Sequence, residues 1–447
     1  MRIDLPDPER IRSMIEELTG QKIEILPRGI SLDSREVKPG DLFVAIVGKR
    51  VDGHDFLDDA KEHGCVATMV TTLNESGDPP QIIVENPVEM LGTLAKQWRS
   101  NFSLPIIGIT GTNGKTTTKD LMIQIFSATY HVHGTRGNYN TELGLPLTLL
   151  ELTSHHTLSI LEMGANQRGD IGYLCGLSQP RYGLITNIAL AHLQDFGSIE
   201  DISRSKGELF ESLPPDGIAF VNAEDERVRS LHTEASKISY GFHPGCDFSA
   251  ELHQDGEGLF SLTINGEHIS LNSYSKTFAV NALASCAVSI TNGVSWESFQ
   301  EAVLTFTPSS GRCEIKNMDG ITLIDDSYNA NFASTLTAIE LLLTIPVKGR
   351  RILVFGDMLE LGKESESLHR QVGQRCAKEG IDLLLCYGDE SRLTAEAAKS
   401  AINARHLHDK HDLVVILKEE LDRGDVVLFK GSRGMALETV IDEVFGP

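Results

Sequence analysis

The run Gly108-Ile109-Thr110-Gly111-Thr112-Asn113-Gly114-Lys115-Thr116-Thr117-Thr118 has the residue types that hold a polyphosphate. Glycines let the backbone approach an anion, and free N–H groups at a helix start point toward it. Lys115 suits the outer phosphates, and the Thr116 hydroxyl suits Mg²⁺. Gly111, Thr112, Asn113, Gly114, Lys115, Thr116 and Thr117 are therefore expected to cradle the phosphates of a nucleoside triphosphate. Strict Walker spacing asks for glycine where Ile109 stands, so the loop reads as a compact variant relying on Gly108 and Gly111. The apolar run 104–109 before it reads as a buried strand. After it, Leu121, Met122, Ile125 and Phe126 recur at helical spacing.

Ligands of open α/β sheets gather beyond the carboxyl ends of strands. Strands expected at 105–109, 157–163, 182–187 and 217–221 would bring Thr116, Glu162 and His192 to one metal–phosphate region. Glu162 is a hard oxygen donor suited to Mg²⁺. His192 reads either as a second ligand or as a capping or core histidine. Lys206 lies on the apolar stripe of Ile202, Leu209, Phe210 and Leu213. One reading is a snorkelling ammonium. The other is a desolvated amine with a depressed pKa, able to take up CO₂ as a carbamate and so become an anionic metal ligand. Three clusters follow later strands: 325–331, 356–362 and 430–434. Each reads as turn and cap chemistry or as ligand contacts, and Arg433 with nearby N–H groups suits a carboxylate.

The chain has 447 residues, room for about three domains. Its net charge of -23 argues against nucleic acid or an anionic membrane as partner. Seven cysteines without C-x-x-C spacing suggest free thiols in a reducing cytoplasm. The N-terminus lacks a secretory signal pattern, and no run approaches a membrane span. The expected organisation is α/β throughout: a first domain over 1–102, a central phosphate-loop domain over 103–310, and a third over 311–447. A hinge is expected at 100–104, a hairpin over 248–271, and helices over 278–291 and 296–304. Further strands are expected at 321–325, 351–355, 383–387 and 426–430.

Taken together, the chain resembles the Mur ligase family nearly end to end. The resemblance rests on residues 32–35, 39–45 and 52–56, the phosphate loop, and the runs 137–140, 144–148, 162–170, 186–188 and 191–193. It rests also on Lys206 and on 325–331, 356–362 and 430–433. It implies an N-terminal UDP-substrate domain, a central ATP-binding parallel sheet, and a C-terminal Rossmann-like domain for an incoming dipeptide. The implied reaction joins D-alanyl-D-alanine to UDP-N-acetylmuramoyl tripeptide through an acyl phosphate, releasing ADP and phosphate. By the same resemblance, Thr116 and Glu162 hold one Mg²⁺, and His192 with carbamylated Lys206 holds a second. Lys115 neutralises phosphate charge. Ser34 and Arg35 match positions near the uridine nucleotide, and Asn138, Asn140, Thr141 and Arg168 match positions near its diphosphate and muramoyl end. Asn281, Arg312, Asp326 and Asn329 match the ATP side, and Ser432 and Arg433 the acceptor side. A cytoplasmic monomer is implied. Thr141, Phe332 and the Ser275–Lys276–Thr277–Phe278 run depart from the family pattern, which leaves a paralogue with another amino acid or dipeptide as the alternative. A phosphate-loop switch has no need of Lys206 or of flanking domains. A dinucleotide oxidoreductase would need a G-x-G-x-x-G followed by an acid, which is missing.

Overall fold

The computed structural model describes residues 1–48, 51–73, 79–190 and 193–446. Three sheets carry the chain. The first has five strands in sequence order: Arg2–Asp4, Gly29–Ser31, Asp41–Val44, Ala67–Val70 and Gln81–Ile83. Its first pair is antiparallel and the rest are parallel.

The central sheet has nine strands. From one edge they run Glu267–Ser273, Phe260–Ile264, Phe248–Gln254, Ser236–Gly241, Ile218–Asn222, Tyr182–Ile185, Ile106–Thr110, Leu158–Glu162 and Val132–Gly134. The chain leaves Ile106–Thr110 toward one side of the sheet and Tyr182–Ile185 toward the other, so a crevice opens between their carboxyl ends. The expected strands all form, shifted by a residue or a few at their ends. The single hairpin expected over 248–271 is instead a three-stranded antiparallel meander. Its second turn is Asn265-Gly266, with φ 49 and 92, the left-handed pair that a two-residue hairpin turn requires.

The third sheet runs Glu314–Met318, Ile321–Asp326, Val426–Lys430, Arg351–Gly356, Leu383–Tyr387 and Asn403–Leu407, antiparallel only at its first pair. Its inner strands are buried on both faces, so they read as unbroken apolar runs. Ile352 and Val354 pack on one side of this sheet, and Leu353 and Phe355 on the other.

The first two sheets share a core. Ile11, Ile15, Leu42 and Leu94 belong to the same buried cluster as Leu145, Leu149, Leu174 and Leu209. Helix Pro87–Arg99 makes the join. Its Trp98 Nε1 donates to Leu152 O at 3.1 Å. Arg99 donates to Ser178 O in the central domain at 2.9 Å, and also to Phe102 O and Leu104 O in the connector. The segment expected as a hinge is therefore fastened to both sides. The third sheet has its own two clusters. It meets the central domain through polar contacts such as Asn331 Nδ2 to Asn113 Oδ1 at 2.7 Å and Gln194 N to Glu360 O at 3.2 Å. No helix among the described residues is long and apolar enough to cross a membrane.

Arg99→Ala leaves the Ser178, Phe102 and Leu104 carbonyls without their charged donor, two of them buried. It is expected to destabilise the first two domains by on the order of 3 kcal/mol, seen as an earlier unfolding midpoint in denaturant. An unchanged midpoint would remove Arg99 from the account of the junction.

Candidate active site

Helix Lys115–Phe126 starts behind Gly114, whose φ is 82. A Cβ on Gly114 would stand 2.8 Å from Asn281 Oδ1, and one on Gly111 would stand 2.1 Å from Thr186 Oγ1. Only glycine fits at either place. The loop is pinned to the end of the neighbouring strand. Thr112 N donates to Asn187 O at 2.9 Å, and Asn113 N to Asn187 Oδ1 at 3.1 Å. Asn113 O accepts from Asn187 Nδ2 at 2.9 Å and from Thr186 Oγ1 at 2.6 Å. Lys115 Nζ lies back on the loop, donating to Gly111 O at 2.9 Å and Thr112 O at 3.2 Å. Burial lowers its pKa, against the pull of Glu162. Gly108 is not part of this cradle. It sits inside strand Ile106–Thr110, where a Cβ would meet Leu209 Cδ1 at 2.9 Å, so its role is to admit the helix packed above.

Beneath the loop, Thr116 Oγ1 donates to Glu162 Oε2 at 2.7 Å, and Asn140 Nδ2 donates to Glu162 Oε1 at 2.8 Å. Glu162 is 2% exposed. Its backbone N–H donates to Thr135 Oγ1 at 3.0 Å, and Thr135 O accepts from Lys119 Nζ at 2.8 Å. A buried carboxylate and a hydroxyl are hard oxygen donors that fit Mg²⁺, while the N–H-rich loop above fits phosphate. Lys206 is buried on helix Ile199–Glu211, with its ammonium 5.8 Å from the Phe196 ring centroid. Burial and then the nearby charge of Lys115 bring its pKa down to about 7. It does not reach the surface as a snorkelling side chain would. His192 lies outside the described residues.

A cavity of about 810 Å³ joins this region to the third domain. Of the expected site residues, it collects the phosphate loop, Asn138, Asn140, Thr141, Glu162, Lys206, Asn281, Arg312, Asp326 and Asn329. Arg312 stacks on the Tyr328 ring at 4.0 Å. Asp326 pairs with buried Lys430 at 2.7 Å, and Lys430 Nζ also donates to Asn329 O at 2.6 Å. Ser34, Arg35, Arg168, Ser432 and Arg433 do not line this cavity. Ser34 is buried in the one-turn helix Ser34–Glu36 of the first domain. Arg35 is 82% exposed and pairs with Asp33 at 2.7 Å, which pulls that carboxyl down to about 2. Arg168 is exposed. Ser432 is buried, accepting from Leu359 N at 2.8 Å and donating to Ala330 O at 3.2 Å, so it ties the strand-end clusters together. Arg433 is exposed, pairs with Glu438 at 2.7 Å and lies 5.6 Å from the Tyr328 ring centroid.

The sequence singles out no individual site role for Asn187, Asn331, Tyr328, Lys430 or Thr135, although Tyr328, Asn331 and Lys430 lie in strand-end clusters it marks. Asn187 follows a strand end, the place where ligand groups gather, and that position was its one available signal. Asn331 caps helix Phe332–Thr344 while its amide reaches Asn113. Phe332 takes the first helical position, where proline is favoured but not needed.

Comparison with known proteins agrees with this architecture. Residues 109–289 match the Mur ligase middle domain, 311–433 the Mur ligase glutamate ligase domain, and 27–99 the Mur ligase family catalytic domain. The UDP-N-acetylmuramoyl-tripeptide--D-alanyl-D-alanine ligase of Escherichia coli is 35% identical over 95% of both chains. That of Haemophilus influenzae is 36% identical over 92% of both. Among solved structures, MurF from Acinetobacter baumannii superposes with a TM-score of 0.87 at 28% identity over 98% of both chains. MurF ligase from Thermotoga maritima in complex with ADP gives 0.80 at 30% identity, over 93% of this chain and 96% of that one. Three domain matches in order and full-length relatives above 30% identity lead to one conclusion: the chain belongs to the Mur ligase family.

Proposed function

We propose that this protein is an ATP-dependent amide ligase adding D-alanyl-D-alanine to UDP-N-acetylmuramoyl tripeptide, a step of peptidoglycan precursor synthesis. The observation that carries the reading is the cavity in which an N–H-rich glycine loop, a buried Thr116–Glu162 pair and an inward lysine meet the polar edge of a second domain. The relatives' printed names supply the substrates. A cytoplasmic monomer using small soluble substrates fits the chain's acidity and lack of a basic face.

In this reading ATP's phosphates lie on the loop and Lys115 leaves its carbonyl partners for them. The tripeptide carboxylate attacks the terminal phosphorus in line, and Lys115 balances charge that builds on the transferring group. The acyl phosphate then meets the amine of D-alanyl-D-alanine, and phosphate leaves from the tetrahedral intermediate. Asn281, Arg312, Asp326 and Asn329 would hold the nucleotide, and Asn138, Asn140, Thr141 and Arg168 the diphosphate and muramoyl end. Ser34 and Arg35 would take the uridine end, and Arg433, seated by Ser432, the acceptor carboxylate. Thr116 and Glu162 would hold one Mg²⁺, and His192 with carbamylated Lys206 the other; when bound, these ions screen phosphate charge. Positioning supplies the remainder of the catalysis.

Phosphate release from ATP is expected only with UDP-N-acetylmuramoyl tripeptide and D-alanyl-D-alanine together, with ADP as the other product. Lys115→Ala should lower turnover on the order of a hundredfold or more. AMP and diphosphate as products, or near-normal turnover of the variant, would contradict the reading.

Lys206→Ala should be nearly inactive, with partial recovery when a short carboxylate is added. Lys206→Arg should stay inactive, because a guanidinium keeps its charge and cannot take up CO₂. An active arginine variant would exclude the carbamate. A second readout is stability. The folded-state pKa lies below that of the free side chain, so the unfolded chain binds more protons between the two values. In bicarbonate-free buffer, burying this lysine costs most below about pH 7, and the cost fades as pH rises toward ~10.4. The stability of the parent relative to Lys206→Met should therefore climb over that window, and a flat difference would show that the amine is solvated.

A further inference from the structure

We propose that the cleft between the first and central domains, at the end of the central sheet opposite the phosphate loop, binds a small organic anion: a phosphate or carboxylate on an apolar body. This cleft encloses about 810 Å³. Its walls include Lys96 and Arg99 from helix Pro87–Arg99, the connector at Ser103 and Leu104, and Arg181 at the base of strand Tyr182–Ile185. It therefore lies at the amino ends of the strands whose carboxyl ends carry the ATP cavity.

Charge is the first reason. The wall holds three cations and no carboxylate, in a chain whose net charge is -23. The second reason is the state of Arg99, which is 9% exposed. Buried lysines elsewhere have acids beside them: Lys119 with Asp120 at 2.8 Å and Lys430 with Asp326 at 2.7 Å. Lys115 and Lys206 make no ion pair among the described residues, and both face the cavity assigned to a polyphosphate. Arg99 shares that condition and faces the junction cleft. Its bonds among the described residues all go to carbonyls. Nη1 and Nη2 each donate once there, and each carries a second hydrogen. Desolvation lowers its pKa, as expected for a buried cation without a counter-charge.

Arg181 pairs with Asp216 at 3.1 Å, but both side chains are at least half exposed. Such a pair is worth little and can be exchanged for a ligand. Leu104, Pro180, Tyr182 and Pro214 supply the apolar wall. An anion held by Lys96, Arg99 and Arg181 would tie the first domain's last helix to the central sheet without touching the phosphate loop.

The test uses the full chain saturated with Mg²⁺ and ADP, titrated calorimetrically with phenyl phosphate, benzoate or benzyl alcohol. Saturable binding is expected for one or both anions and not for the alcohol; the preferred anion identifies the head group. Lys96→Gln combined with Arg181→Gln should weaken it about tenfold or more while leaving ligase turnover unchanged. Both residues are exposed, so the fold is not at risk, and the unfolding midpoint checks this. Lys115→Ala should retain the binding. No saturable binding to the parent, equal affinity in the double variant, equal binding of the alcohol, or loss in Lys115→Ala would each overturn the proposal.

Discussion

The arrangement of the central cavity depends on the absence of a side chain at Gly111. Any Cβ there would collide with Thr186 Oγ1, and the loop could not seat against Asn187. Once seated, the loop starts helix Lys115–Phe126 at a fixed angle, and that angle puts the Thr116 hydroxyl on Glu162. Glu162 is in turn held by Asn140 on one side and by the Thr135–Lys119 link on the other. A close approach of two strand ends thus sets the positions of an oxygen cluster and an anion cradle together.

A chain this acidic can hold a polyanion only by local means. It uses backbone N–H groups, whose partial charges do not depend on net charge, and lysines whose environment favours an incoming anion. Lys115 and Lys206 are both desolvated, and the charge of Lys115 further lowers the proton affinity of Lys206. The domains are joined unequally. The first two share one apolar core, bolted by Trp98 and Arg99. The third has separate cores and touches the central domain through side-chain amides, single backbone contacts and Tyr274, which packs on one of those cores. Asn113 and Asn331 span that boundary at the mouth of the phosphate loop.

Much of this was legible in the residues. The glycine loop, the long apolar strands and the placement of Lys206 on a buried stripe are local patterns, and local patterns survive folding. Strands of three residues such as Arg2–Asp4, Gly29–Ser31 and Val132–Gly134 are too short for a period to show, and pairing alone creates them. Gly108 looks like part of the cradle in the sequence because spacing cannot separate a glycine that meets a ligand from one that admits Leu209. Asn187, Tyr328 and Lys430 act through partners on distant elements. Tyr328 matters because Arg312 and Arg433 converge on it, and no spacing rule contains that. Ser432 differs in the other direction: its place at a strand end suggests a ligand contact, whereas its hydroxyl is engaged inside the protein.

The central claim is that the peptide carboxylate is activated by phosphoryl transfer within the cavity built on Gly111. Isotope tracing tests it most directly. UDP-N-acetylmuramoyl tripeptide labelled with ¹⁸O in its terminal carboxylate would be turned over with ATP and D-alanyl-D-alanine, and the released phosphate analysed by mass. The account predicts one ¹⁸O atom carried into inorganic phosphate for each amide formed. Label found in AMP, or unlabelled phosphate, would contradict it.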